Sequence, residues 1–295
     1  MLTVEEQVGR GLLVCPESGQ RLVMEPECLR SADGRHSYPV HEGVPIFLSS
    51  EQREDLLRQH DQSMKREYES DALLDPRRLI DRFFAAFGDQ RSRASQQVWS
   101  QLLSRLSDDD LCVSIGGGPR RVHPFFVNLN IEKFDNVEVV ADAHRLPYAD
   151  GSVRAIQWEA VLEHLTDPDV AVREIHRVLE DGGEVFSVTP FLQKFHAYPN
   201  HFFNPTLEGH KLVFERAGFV IQENGVCVGP SWMIADLVIE YVGMLVPIRG
   251  VRALAMLGTR VVLLPLRFLD ILLNRLPESH ILASTTFVHA VKHPT

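Results

Sequence analysis

Between residues 111 and 230 the chain repeats one pattern: a short apolar run rich in β-branched and aromatic residues, followed in the later repeats by a segment with helical periodicity. The runs are LCVSI, FFVNLNI, VEVVA, AIQW and EVFSV. Apolar strands alternating with helices predict an α/β fold with a mostly parallel sheet, because a parallel strand is reached by a crossover that packs on the sheet face. Helix signals support this. Asp167-Pro168 supplies an N-cap and a proline at the first helical position, and Gly182-Gly183 is the stop. A second helix, from Leu207 to Ala217, ends at Gly218 before the strand-like FVIQENGVCVG. STTFVHAVK then reads as one more strand, set apart from its partner by residues 231–283.

The first strand of this sheet runs into VSIGGGPRR, residues 113–121. Open α/β sheets bind ligands outside the carboxyl ends of their strands, and glycines there let backbone approach a ligand closely. A dinucleotide fingerprint would place glycines at 116, 118 and 121, but position 121 is Arg, so NAD and FAD are disfavoured. The Gly-Lys-Ser/Thr ending of a phosphate-binding loop is absent too. With 30 Lys+Arg against 40 Asp+Glu, the net charge of −10 argues against nucleic acid as a partner, since phosphates need a basic face. MLTVEEQVGRGLLV has two glutamates where a signal peptide needs basic residues, and Cys15, Cys28, Cys112 and Cys227 do not make a disulfide framework. The expected location is therefore the cytoplasm.

Three other stretches flank this region. Residues 1–49 contain a small β-rich unit with an Asp33-Gly34 turn and the run YPVHEGVPIFL. Residues 50–110 read as helical: Ser49 and Gln52 suit a capping box, Asp75-Pro76 to Gly88 encloses a stripe of Leu79, Ile80, Phe83, Phe84 and Phe87, and SRASQQVWSQLLSRL ends at Asp108-Asp109-Asp110. The stripe is expected to be core. The core proper, 111–295, includes the helical insertion 231–283, where 6 basic and 4 acidic side chains from residue 231 onward make the only net positive part of the chain. No uncharged run there approaches the about 18 residues of a membrane span. Arg252, Arg260, Arg267 and Arg275 recur at helical spacing, with Pro265 expected to split the helix. A cover over the site or a homodimer interface is favoured over contact with a membrane surface.

Taken together, VSIGGG and VEVVADAHRLPYADGSVRAIQWEAVLEHLTDPDVAVREIHRVLEDGGEVFSVTPF resemble class I S-adenosylmethionine-dependent methyltransferases over about residues 111 to 225. The resemblance implies a Rossmann-like seven-stranded sheet with one antiparallel closing strand, which suits STTFVHAVK. It also implies that Gly116, Gly117 and Gly118 pass beneath the methionine part of S-adenosylmethionine, that Asn130 and Ile131 lie by its ribose, that Asp142 and Ala143 read the adenine, and that Trp158 and Glu159 line the sulfonium side. Three positions depart from the pattern: Ser114 and Asn130 replace acidic residues, and Arg154 replaces an Asp. Only ten residues separate Ile115 from Phe126, so the first crossover helix must be very short.

Residues 11–48 resemble the small zinc-ribbon activator of certain methyltransferases, but Cys15-x-x-Ser18 and Cys28-x-x-Ser31 lack half of the thiolates. Two thiolates close a zinc site only if His36 or His41 joins them.

Methyl transfer needs in-line placement, and a base only where the nucleophile must lose a proton. Candidates are His164 with Glu163 after the fourth strand, and His196, Tyr198, His201 and Asn204 in the loop PFLQKFHAYPNHFFNPT. His164, His196 and His201 are taken as the catalytic set. A metal site from His196, His201 and His210 would lack a suitably spaced carboxylate, so no metal is expected. The expected function is methylation of oxygen or nitrogen on a small molecule. The alternatives are a partner-binding regulatory subunit that no longer methylates, and an enzyme using the cleft for elimination, cyclisation or hydrolysis.

Overall fold

The computed structural model describes residues 1–49, 51–52, 91–119, 121–196 and 200–293, with the backbone alone at Arg267. The expected stripe from Leu79 to Phe87 and Tyr198 lie outside the described residues. The chain opens with α1 (Val4–Gly9), capped by a reciprocal Thr3–Glu6 box. A four-stranded antiparallel sheet follows, in the order β1 (Leu22–Met24), β2 (Cys28–Ser31), β3 (Ser37–His41), β4 (Val44–Pro45). Glu42 and Gly43 turn β3 into β4 with φ of 52° and 78°, the left-handed pair that a two-residue hairpin requires.

This unit shares its core with the main sheet. Leu13, Leu22, Leu29, Tyr38 and Phe47 belong to the same buried cluster as Val113, Leu129, Tyr148 and Trp158. Ile46 also bridges in parallel to Val140, and the Val14 N–H donates to the Pro147 carbonyl.

The main sheet has seven strands: β5 (Cys112–Ile115), β6 (Phe126–Asn130), β7 (Val139–Val140), β8 (Val153–Glu159), β9 (Leu179–Pro190), β10 (Phe219–Val228) and β11 (Thr285–Lys292). Their order is β10-β11-β9-β8-β5-β6-β7. The pairs from β7 through β9 are parallel, and β11 lies antiparallel between β9 and β10. The fold is α/β and Rossmann-like, as the pattern of runs predicts, with the expected closing strand. Every residue of β5 and β6 is buried, since each strand has neighbours on both sides and both faces are covered. Between β5 and β6 the described residues form turns and bends with no helix, so the short crossover helix expected there is absent among them.

Helix α2 (Arg93–Ser104) buries Val98 and Leu102 against one face, and α3 (Pro168–Val178) buries Ala171, Val172, Ile175 and Val178 against the other. Both start where the sequence places them, at Ser92 and Asp167. α4 (Leu207–Arg216) precedes β10.

Strand order reverses between β5 and β8, so the loops leaving their carboxyl ends diverge and open a crevice. The opposite, amino edge is closed by charge. Glu184 on β9, 5% exposed, accepts from Arg105 and lies 2.8 Å from His289 Nε2. Arg154 joins this group: its guanidinium donates to the Gly182 carbonyl at 2.6 Å and lies 3.4 Å from Glu184. The Arg154 departure therefore sits at the edge away from the crevice, near the start of β8.

In the insertion, α5 (Pro230–Leu245) starts on Asp270, a fully buried carboxylate that accepts from the backbone N–H groups of Ser231 and Trp232. α6 (Arg249–Leu263) buries no residue, and a 3-10 turn (Leu264–Leu269) containing Pro265 separates it from α7 (Asp270–Leu273). Arg252 and Arg260 share α6, whereas Arg267 and Arg275 lie on and after the later elements, so the spacing does not build one basic helical face. Met244, Leu254 and Val262 are exposed. Among the described residues no helix is long and apolar enough to cross a membrane.

Candidate active site

One side of the crevice starts at the glycine turn. Gly116 and Gly118 have φ of +76° and +58°, where a side chain is strained. Gly116 is also pressed from the side: an added Cβ would lie 2.1 Å from Val161 Cγ2. The segment after β8 thus packs directly on the turn after β5. At Gly118 no atom of the described residues lies within 4 Å of such a Cβ, so among them this glycine borders open space. Asn128, a buried residue that the sequence reading passed over, clamps the turn by donating from Nδ2 to the carbonyls of Gly118 and Asn136, each at 2.9 Å. Its place as a polar residue between Val127 and Leu129, in the middle of the run FFVNLNI, is the signal that could have marked it.

Asp142 follows β7. Its Oδ1 accepts from the His144 backbone N–H at 2.9 Å and lies 2.7 Å from His144 Nδ1, while Oδ2 accepts from Gln52 Nε2 at 3.0 Å. Burial works to raise this carboxyl, but the His144 and Gln52 bonds outweigh it and hold the group below the usual carboxylate value. Gln52 comes from the Ser49 capping box, whose two reciprocal bonds are present. Asn130, 7% exposed, accepts from the Glu132 N–H through Oδ1. Ile131 packs with Leu48, Val137 and Val140, and Ala143 is buried. Ser114 donates to Gln157 Oε1 at 2.7 Å, a neutral bond in the interior of the sheet.

Trp158 is a correction. It is fully buried in the core and meets Phe214 edge-on at 6.3 Å, so its ring does not line the crevice. Alternation along β8 turns Glu159 the other way; it is partly exposed and paired with Arg91. Ala160 follows with φ +54°, an unusual conformation for a side-chain-bearing residue at the strand's carboxyl end.

A second polar group gathers around Glu163, whose side chain is fully buried. Its Oε2 lies 3.4 Å from Thr189 Oγ1, and Oε1 has no hydrogen-bond partner among the described residues. His164 and His196 approach that oxygen with Nε2 at 3.8 and 3.9 Å, their rings 5.1 Å apart. The loop after β9 is held in place by a backbone bond from the Phe202 N–H to the Glu163 carbonyl and by the His196 N–H donating to the His201 side chain at Nδ1. His201 spends both nitrogens on the loop: Nδ1 on that bond, and Nε2 on Asn204 Oδ1 at 2.7 Å and the Phe203 carbonyl at 3.1 Å. Through the first of these bonds it holds the backbone of His196.

His210 stands apart, fully buried between Ser187 and Thr286, where desolvation pushes it down to about 3 and keeps it neutral. It therefore joins neither histidine, and the set of His196, His201 and His210 does not assemble. A carboxylate does lie beside His196, that of Glu163, which spacing along the chain does not reveal.

A cleft of about 490 Å³ between the N-terminal unit and the residues around His144, Arg173 and Arg177 touches none of the expected cofactor residues.

Residues 124–187, from before β6 into β9, match the family described as methyltransferase domain. This stretch carries Asp142, Glu159 and Glu163. An uncharacterized chloroplastic methyltransferase of Arabidopsis thaliana is 36% identical over 100 residues, 32% of this chain and 28% of the relative. An uncharacterized transposon protein of Streptomyces fradiae is 40% identical over 60 residues, 20% of this chain and 17% of the relative. The chain thus spans less than a third of the length of these curated relatives.

Among solved structures, the [4+2]-cyclase SpnF aligns with a TM-score of 0.41 and 17% identity over 67% of this chain and 81% of that one. Phosphoethanolamine N-methyltransferase 2 of Haemonchus contortus, solved with S-adenosyl-L-methionine, aligns with a TM-score of 0.40 and 16% identity over 66% of this chain and 53% of that one. Scores of this size decide nothing about chemistry.

Proposed function

We propose that the chain is a cytoplasmic S-adenosylmethionine-dependent methyltransferase acting on oxygen or nitrogen of a small molecule. The observation that carries this is the pairing of two features on one sheet edge: the left-handed Gly116–Gly118 turn after β5, open to space at Gly118, and the ionised Asp142 after β7. These residues fit the cofactor. Gly118 leaves room for the methionine portion, and Asp142 can accept a charge-assisted hydrogen bond from an adenine amino or ribose hydroxyl group. Asn130 and Glu159 border the same crevice, and Gly117, Ile131 and Ala143 supply backbone.

The chemistry supplied by bound S-adenosylmethionine is an electrophilic methyl group. The protein's own part is placement, which can contribute a large share of the rate, and handling of the acceptor's proton. The Glu163, His164 and His196 group is assigned that second task, with His201 fixing the loop. In domain terms, 1–49 is read as a degenerate ribbon-like unit, 50–110 as a connecting region, and 111–295 as the methyltransferase core with 231–283 inserted. The exposed apolar surface of α5 and α6 is read as a cover for the acceptor or a homodimer contact. Calorimetric titration with S-adenosylmethionine and its demethylated product tests the reading; absence of heat with both overturns it.

A second reading has one observation in its favour: Gln52 already occupies Asp142. A chain whose crevice is filled from within would serve as a partner-binding regulatory subunit, or run an elimination, cyclisation or hydrolysis with the same histidines. Mass spectrometry of the purified protein separates these, because a carried-over cofactor or product is expected only from the first reading.

A further inference from the structure

We propose that Glu163 Oε1, His164 Nε2 and His196 Nε2 bind a divalent first-row transition-metal ion of the zinc class. His164 Nδ1 contacts the Asn200 carbonyl, and His196 Nδ1 lies 3.2 Å from the Lys194 carbonyl. A carbonyl only accepts, so each Nδ1 is the donor and, in the neutral ring, each Nε2 carries the lone pair. Both lone pairs then converge on a carboxylate oxygen that is fully buried and has no hydrogen-bond partner. Two imidazole nitrogens gathered this closely around a buried carboxylate oxygen favour a cation at their centre.

The three ligand atoms lie within 4.8 Å of one another, with Glu163 Oε1 at 3.8 and 3.9 Å from the two nitrogens. Bonds of about 2.0–2.2 Å in tetrahedral geometry require roughly 3.4 Å between ligand atoms, so a contraction of about half an ångström at the carboxylate closes the site, and rather more between the two nitrogens. His196, 37% exposed at its side chain, is the ligand able to move. Two imidazoles and one carboxylate leave coordination positions open, the arrangement of a catalytic rather than a structural centre. The outer partners are in place as well: backbone carbonyls orient both rings, and His201 fixes the backbone of His196. The site lies two residues beyond Val161, which packs on Gly116, and so borders the crevice.

Metal binding is measured without cofactor or acceptor, so its outcome is independent of the methyl-transfer reading. The full chain, stripped with a chelator, is titrated with Zn²⁺ by calorimetry and with Co²⁺ by visible absorption. A second group, Cys15, Glu17 and His36, could also take an ion, so Cys15→Ser is titrated in parallel. The expected result is one site whose affinity falls about 100-fold in His196→Ala and His164→Ala, and about 10-fold in His201→Ala, while Cys15→Ser retains it. Glu163→Gln should lose the Co²⁺ bands, and the two histidine variants keep the test readable if that buried change impairs folding. No stoichiometric Zn²⁺ binding, or binding that is lost in Cys15→Ser and kept in His164→Ala and His196→Ala, overturns the proposal.

Discussion

The two edges of the main sheet treat buried polar groups in opposite ways. At the amino edge, Glu184 is surrounded by Arg105, Arg154 and His289, and its charge is spent inside the protein. At the carboxyl edge, among the described residues, Glu163 Oε1 has no hydrogen-bond partner and Gly118 faces open space, and Ala160 sits in a left-handed conformation. A charge closed on its neighbours contributes to folding, while an acceptor left without a donor lowers stability unless a ligand completes it. The contrast separates the part of the polar interior that holds the sheet from the part available for chemistry. It also sets an expectation: changes at the amino edge move stability, and changes at the carboxyl edge move binding.

The largest effect is expected at Glu184. Burial works to raise this carboxyl, yet the bonds to His289 and Arg105 outweigh it and bring it down to about 2. A carboxylate with a depressed folded pKa stabilises the fold above its unfolded value, and that contribution is lost as pH falls from about 4.5 towards about 2. The full linkage is of order 3 kcal/mol. Glu184→Gln should cost up to a similar amount at neutral pH, since it leaves Arg105 and the part-buried Arg154 without their anion. Its denaturation midpoint should also vary less with pH in that acid window than the wild type's. Equal acid sensitivity in both proteins would place the critical carboxylate elsewhere.

Two glycines two residues apart sharpen the comparison at the next level. Gly116→Val adds a Cβ that must displace Val161, on top of a positive φ, and should destabilise by about 2–3 kcal/mol in chemical denaturation. Gly118→Leu meets no neighbour and should cost only about 1 kcal/mol from its φ, while abolishing measurable binding of S-adenosylmethionine. If Gly118→Leu binds the cofactor normally, the open space beside it is not the cofactor's.

The sequence shows which residues belong to strands more readily than which way they face. The Asp167 cap, the Gly218 stop and the glycine turn are local signals, and each forms where residue chemistry requires. β8 carries no such signal for direction. Nearly all of VRAIQWE is buried, so there is no polar alternation to show that Trp158 points into the core and Glu159 into the crevice. The group around Glu163 was legible only as a set of residue types. Glu163 and His196 lie 33 positions apart and meet because the Phe202 N–H bonds to the Glu163 carbonyl, a long-range contact with no pattern in the sequence. His201 and His210 look equivalent to His196 in the sequence and differ only in what surrounds them.

The smallest effects concern Asp142, where the carboxyl edge most resembles the amino edge because an internal partner is already present. Asp142→Asn removes the charge that strengthens a hydrogen bond to the cofactor and should weaken S-adenosylmethionine binding about 10-fold. Gln52→Ala acts in the opposite direction. The Gln52 amide donates to Oδ2, so a ligand taking that oxygen must first displace it. An exposed hydrogen bond of this kind is worth about 0.5–1 kcal/mol, and removing the competitor should tighten binding roughly two- to fivefold. The helix start at Ser49 should weaken slightly, since Gln52 also accepts from the Ser49 N–H. Calorimetry on Gln52→Ala therefore decides between two roles for the contact. Tighter binding makes Gln52 a placeholder that the cofactor displaces, whereas looser binding makes it a part of the site that holds Asp142 in position for the ligand.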